Sequence, residues 1–264
     1  MGPALLLLTD SRLPAGGHAH SGGTEQAIAS GAVHDVPSLA GFLRGRLHTA
    51  GTVTAAFAAA ACAHAASPQI TPEPATPVDA ASRPAAPGPA TTVDAALGPA
   101  PFAVTGSWPM SWAVLDAEVD ARTAAPAQRE ASRTQGRLLL RVARRVWPSP
   151  ILEDLARTVP NPHHPIALGA AAHAAGATPE EAAMAAAYHA VSGPATAAVR
   201  LLGLDPVAVH GLLADLTPDL TAVAAQAHLA AAGQAPESLP AHSAPALDLL
   251  AERHARTKIR LFVS

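Results

Sequence analysis

Alanine is the feature that most limits what this chain can become. Of its 264 residues 49% are hydrophobic but only 3% aromatic, and alanine dominates the apolar set with few β-branched runs. Alanine is the strongest helix former, whereas sheets draw on β-branched and aromatic residues. A core made of methyl groups closes only if helices approach one another tightly. The expectation is therefore an all-α protein, a single-domain bundle of about eight to ten helices with short connections. At this length two small domains are possible, and one large domain is the simpler expectation.

Helix start signals support that expectation. Asp35-Val36-Pro37-Ser38 precedes an apolar stripe of Leu39, Phe42, Leu43 and Leu47, and an Ala-rich rod continues towards His64. Thr178-Pro179-Glu180-Glu181 combines an N-cap Thr, a first-turn Pro and a carboxylate able to close a capping box. Asp205-Pro206 and Thr217-Pro218-Asp219 repeat that grammar, while Ser111 to Thr123 and Gln128 to Trp147 read as two more helices. Residues 67–106 differ: prolines recur there without hydrophobic periodicity, which predicts a flexible Pro/Ala-rich insertion. The expected organisation is thus an N-terminal part of the helical domain over 1–66, the insertion over 67–106, the remainder over 107–252 and a tail over 253–264.

Composition excludes several function classes. A formal net charge of −3 and a pI near 6.5 oppose general nucleic-acid binding. Cys62 is the only cysteine, so no internal disulfide or CxxC clamp exists. Leu5 to Leu8 is too short for a secretory core, and the apolar stretch Ala50 to Ala66 is mostly alanine interrupted by His64. The expectation is a cytoplasmic protein with no membrane span. There is no GxxxxGK[ST], GxSxG or HExxH, so catalysis by this chain is not expected, nor is a cofactor.

The segment from Thr9 to Gly23 is the densest concentration of punctuation and small polar groups, flanked by aliphatic residues, and reads as a shaped surface loop between two short helices. Arg129, Arg133, Arg137, Arg141 and Arg145 recur every four residues on one helix. Such a stripe is either a docking face for an acidic partner or a solvated face with pairs to neighbouring helices. Ser132 and Gly136, one turn apart, suit close approach of another helix. Of the histidines, His18 with His20, and His163 with His164, lack the i, i+4 spacing of helical metal ligands; in a loop His18 and His20 could reach one ion, but no carboxylate or thiolate set completes them. The end of the chain mixes Arg253, His254, Arg256, Lys258 and Arg260 with Ile259, Leu261, Phe262 and Val263. It either folds back or is buried by a partner.

Asp10, Leu13-Pro14, Gly16-Gly17, His20-Ser21 and Glu25 together resemble the N-terminal signature of the urease accessory protein UreF family, with His18 where an aromatic residue is usual and Thr24 where Leu is usual. Ser132-Arg133 with Gln135-Gly136, His163-His164-Pro165 with Gly169, and Ala198-Val199-Arg200-Leu201 near Tyr188 resemble its internal motifs. Pro245, Leu247-Asp248, Glu252, His254, Arg260-Leu261-Phe262 and Ser264 resemble its ending. The order of five separated motifs outside the Pro-rich segment carries the resemblance.

What the resemblance implies is a non-catalytic scaffold that bridges UreD/UreH and the GTPase UreG and couples GTP-dependent nickel delivery to maturation of the urease apoprotein. It also implies a homodimer and a tail that docks on UreD/UreH. The candidate contact residues are Asp10, Pro14, Gly16, Gly17, His20, Ser21, Glu25, Arg133, Arg200, His254, Arg260 and Phe262, with no metal site assigned. The alternative is a direct nickel-binding metallochaperone using His18, His20 or His163.

Overall fold

The computed structural model describes residues 2–67, 111–233, 235–258 and 261–262. The expected insertion, Ser67 apart, lies outside the described residues, as does Arg260. Among the described residues there are helices and no strands: α1 Pro3–Thr9, α2 Thr24–Ala29, α3 Val36–Arg46, α4 Thr52–Ala66, α5 Trp112–Arg122, α6 Pro126–Val146, α7 Pro150–Thr158, α8 His164–Ala174, α9 Pro179–Leu202, α10 Pro206–Asp215, α11 Thr217–Ala231 and α12 Pro245–Arg256. One π-helical turn, Leu47–Gly51, joins α3 to α4, so Val36–Ala66 is a single rod. The buried Thr52 hydroxyl donates to the Leu47 carbonyl at 3.2 Å across that turn.

The all-α expectation holds, and alanine explains the way it is built. Helix α4 is the axis of the molecule: Ala55 to Cys62 are all buried, and α8, α9 and α11 pack around them. Each buried methyl contributes only roughly 0.8 kcal/mol, so the core depends on many close contacts. Gly169 of α8 permits one of them. A Cβ there would stand 2.6 Å from Ala61 Cβ and 2.8 Å from the Cys62 amide nitrogen. The Cys62 thiol is sealed beneath this contact, 3.6 Å from the Ala177 carbonyl, and burial pushes its pKa up to about 12. It is an inert core group.

The rod Val36–Ala66 has the length and composition of a membrane span, with a mean hydropathy of 1.2, yet 67% of its apolar window is buried within the fold. That burial is the signature of a core helix. Start signals act largely as the sequence predicts. Asp35 accepts from the Ser38 amide at 2.8 Å, and Thr178 and Glu181 close a reciprocal capping box. Thr217 differs. Helix α10 runs into α11 through Leu216 without leaving helical backbone, so no extended N-cap position exists there, and Asp219 instead accepts from Arg44 at 3.2 Å.

Candidate docking site

Two sets of motif residues, far apart in sequence, meet in the fold. The first is the junction of α5, α6 and the chain entering α8. Gly136 lets this junction close, because a Cβ on it would meet the Pro162 carbonyl oxygen and lie 2.7 Å from the His163 carbonyl carbon. Ser132, one turn earlier, accepts from the His164 amide at 3.1 Å and contacts His163 Nδ1 at 3.0 Å. His163 Nε2 faces an Asp120 carboxylate oxygen at 2.9 Å. A carboxylate only accepts, so Nε2 carries the proton; burial holds the ring's pKa down, and in the neutral tautomer Nδ1 then accepts a hydrogen bond from the Ser132 hydroxyl.

Arg133 completes the junction. It donates to Asp116 at 2.9 Å and to the Asn161 carbonyl at 2.8 Å and pairs with Asp120, while Asp116 also accepts the His163 amide at 2.8 Å. Burial works to raise the Asp120 pKa, but the bonds from His163 and Arg133 outweigh it and hold the carboxyl below its usual range. Asp116, Asp120 and His163 place three potential ligand atoms within 4.8 Å of one another. The two carboxylates escaped the sequence reading, although their i, i+4 spacing on one face of α5 was a usable signal. Their charge is answered here by a guanidinium, and the His, Ser and backbone donors complete a saturated strut.

The second set joins the two ends of the chain. Glu25 of α2 accepts from the backbone amides of Leu261 at 2.8 Å and Phe262 at 3.1 Å. His254 of α12 is buried and donates through Nε2 to the Phe262 carbonyl at 3.2 Å, with Nδ1 3.8 Å from Glu25. The Phe262 ring is buried, whereas the Leu261 side chain is 80% exposed. Of the two fates expected for the tail, the described part folds back, leaving Leu261 and Leu249 facing outward.

The other candidate contact residues sort by exposure. Pro14, Gly17 and Arg200 are exposed; Asp10 is partly buried and bonded to Arg12; Gly16, in left-handed backbone at φ 78°, rests over Leu138 of α6. His20 and Ser21 are buried, so in this chain they shape the loop from within. The side chain of His18 lies outside the description. The arginine stripe divides: Arg133 enters the strut and Arg129 donates to the Thr123 and Ala124 carbonyls, while Arg137, Arg141 and Arg145 are exposed.

Beneath the loop, Arg46 donates to the carbonyls of Gly22 at 2.8 Å and Ala190 at 2.9 Å. Gly22 has φ 60°, and a Cβ on it would press 3.1 Å from both the guanidinium and Pro194, so the glycine is required twice over. Burial draws the Arg46 pKa down to about 10. His164 and His189 stand nearby with ring centres 5.9 Å apart, and burial first, then the neighbouring rings in the case of His164, pulls their pKa values to about 3 and about 4.

Comparison with known proteins gives a consistent result. A family model described as UreF matches residues 33–217. The urease accessory protein UreF of Mycolicibacterium vanbaalenii is 40% identical over 260 residues, covering 98% of this chain and 97% of that protein. Proteins of the same description from Mycobacterium sp. strain JLS and Mycobacterium tuberculosis H37Rv are 41% and 38% identical over the same span.

Proposed function

The chain belongs to the UreF family of urease accessory proteins, and from that membership we propose that it is a non-catalytic scaffold bridging UreD/UreH and the GTPase UreG in the cytoplasm. In this reading it couples GTP-dependent nickel delivery to completion of the urease active site, working as a homodimer. The physical means is differential binding: a surface that holds one nucleotide or metal state of the GTPase more tightly than another shifts its population.

The observation that carries the reading is the clasp of Glu25 on Leu261 and Phe262, which makes one surface from the N-terminal signature and the tail. Leu261 of the clasp is exposed, and an exposed apolar group on a fixed frame is what a protein partner covers. The contact set proposed from the family motif divides accordingly. Pro14, Gly17, Arg200 and the tail with Arg260 would touch partners, and Gly16, His20, Ser21, Glu25, Arg133 and His254 would hold the surface in shape, with Asp10 at its edge.

Co-expression with UreD/UreH and UreG tests the proposal. The full chain should co-purify with both, and deletion of residues 256–264 should abolish the complex while leaving the helical content intact. Normal assembly by the truncated protein would sink the assignment of the tail. The alternative, direct nickel binding through His18, His20 or His163, finds one candidate cluster among the described residues, His163 with Asp116 and Asp120, but an ion there would have to displace the Arg133 guanidinium. Stoichiometric nickel binding lost in Asp120→Asn and His163→Gln would favour it.

A further inference from the structure

A cavity of about 610 Å³ opens between the Gly22-Gly23 turn, α4, α6, α9 and α12, and the scaffold reading gives it no role. Its wall is largely apolar, with Val53, Phe57, Ala190 and Leu247 contributing, and Arg46 lines it from the side of the loop. The two bonds of Arg46 go to carbonyl oxygens, through Nε and Nη1. Carbonyl dipoles satisfy donors but do not neutralise a cation, and no described carboxylate pairs with this guanidinium. Nη2 is left with its protons unassigned.

Arg46 is half-buried and lines this open cavity, so a carboxylate reaching its guanidinium would exchange water for a charge-assisted bond. A donor on the same wall is buried without a partner. Arg122 has only 10% of its side chain exposed; its terminal nitrogens serve Glu118 and the carbonyls of Pro236, Glu237 and Leu239, yet its buried Nε has no partner. Acidic groups on this wall, Glu130 and Asp248, make no ion pair with either arginine among the described residues. His164 and His189 also line the cavity as neutral rings near pH 7 and so add hydrogen-bonding groups without adding charge.

We propose that this cavity is a binding site for a carboxylate carried on a short apolar stem, with Arg46 Nη2 as the charged contact and the Val53 and Leu247 side of the wall receiving the stem. Planar guanidinium and carboxylate groups match in geometry, and a charge-assisted bond in a partly enclosed site is stronger than a neutral one. The carboxylate belongs either to a free organic acid or to an acidic side chain presented by a protein partner. The proposal stands independently of the scaffold reading, since it concerns only groups within this chain.

The test uses full-length protein and follows the arginine Nε–H resonances by nuclear magnetic resonance during titration with butyrate, with butyramide as the uncharged isostere. Saturable millimolar binding of butyrate that moves the Arg46 signal, with butyramide binding at least about tenfold more weakly, is the expected result. Arg46→Gln should lose that preference. Ala131→Leu, which narrows the cavity without touching Arg46, should weaken both ligands and keeps the question open to test even if Arg46→Gln does not fold. Equal binding of acid and amide, absence of binding by either, or full retention in Ala131→Leu would overturn the proposal. The source is then separated by adding saturating butyrate to the assembled complex: dissociation assigns the carboxylate to a partner, and unchanged assembly assigns it to a free acid.

Discussion

Arg46 Nε donates at 2.9 Å to the carbonyl of Ala190, the one carbonyl of α9 that Pro194 cannot serve. A helical residue four positions on would normally supply that amide proton, and proline has none. The side chain of α3 therefore replaces a missing backbone donor inside another helix and, through Nη1, ties the Gly22 turn to the same point. Arg46→Met should leave two acceptors unserved and destabilise the fold by about 2–4 kcal/mol. In a Pro194→Ala background the helix supplies its own donor, so the same substitution should be milder by about 1 kcal/mol or more. Urea denaturation of the four proteins gives the coupling, and strict additivity would refute the relationship.

Two glycines of the family motifs should differ sharply in what the same substitution costs. Gly136→Ala forces a methyl into the backbone of Pro162 and His163, where neither side can yield cheaply, and should lower stability by about 3 kcal/mol or more. Gly17 has open space around it and ordinary backbone, so Gly17→Ala should stay within about 0.5 kcal/mol of the parent. Partner pull-down then separates roles: Gly17→Asp should fold normally and bind less UreD/UreH or UreG. A Gly17→Asp protein that binds undiminished removes this position from the contact surface.

The sequence made the helices legible because their caps and stripes are local: Asp35 with Ser38, and Thr178 with Glu181, need nothing beyond their own turn. It also marked Gly136 as a packing residue. It could not place Asp116 and Asp120 beside His163, because 47 residues separate the first pair and only the crossing of α5 with α8 unites them. Arg46 escaped notice for the same reason. Its two partners lie 24 and 144 residues away, and the need for it arises only from a proline inside α9. The burial of His20, Ser21 and His254 likewise depends on how loop and tail settle on the bundle.

Acid should loosen this fold in a window set by histidine. His164 and His189 have pKa values near 3 and 4 in the folded chain, against about 6.5 when unfolded, so between those limits the unfolded state binds more protons. Stability is therefore complete above pH 6.5 and falls as pH drops through the window, by up to about 2 kcal/mol for each ring at pH 5. Asp120 and Asp219 are held below 3.8, the first with burial opposing the bonds from His163 and Arg133 and the second chiefly by Arg44, so their losses begin only at lower pH. Urea midpoints measured from pH 7 to 5 should fall, and His189→Gln should roughly halve the slope. A flat profile in the parent would contradict the burial of both rings.

Glu25 presents both carboxylate oxygens to the tail, one to each of two successive amides, and hydrogen bonds to a charged acceptor contribute roughly 1.5–3 kcal/mol each where water is kept away. Leu261 is exposed and Phe262 is buried, so part of that contribution survives in this clasp and part is screened. Glu25→Ala should leave the bundle's melting temperature nearly unchanged, because the tail adds little to the α4 core, yet free the segment after Thr257. Trypsin should then cut after Arg256 and Lys258 roughly tenfold faster. The same variant should bind UreD/UreH more weakly, since a tail that must be ordered on contact forfeits preorganisation, and Glu25→Gln, which keeps one acceptor oxygen, should fall between. Cleavage at the parent rate would mean that the clasp does not restrain the tail. Faster cleavage together with tighter binding would reverse its sense, making Glu25 a lock that partners must open.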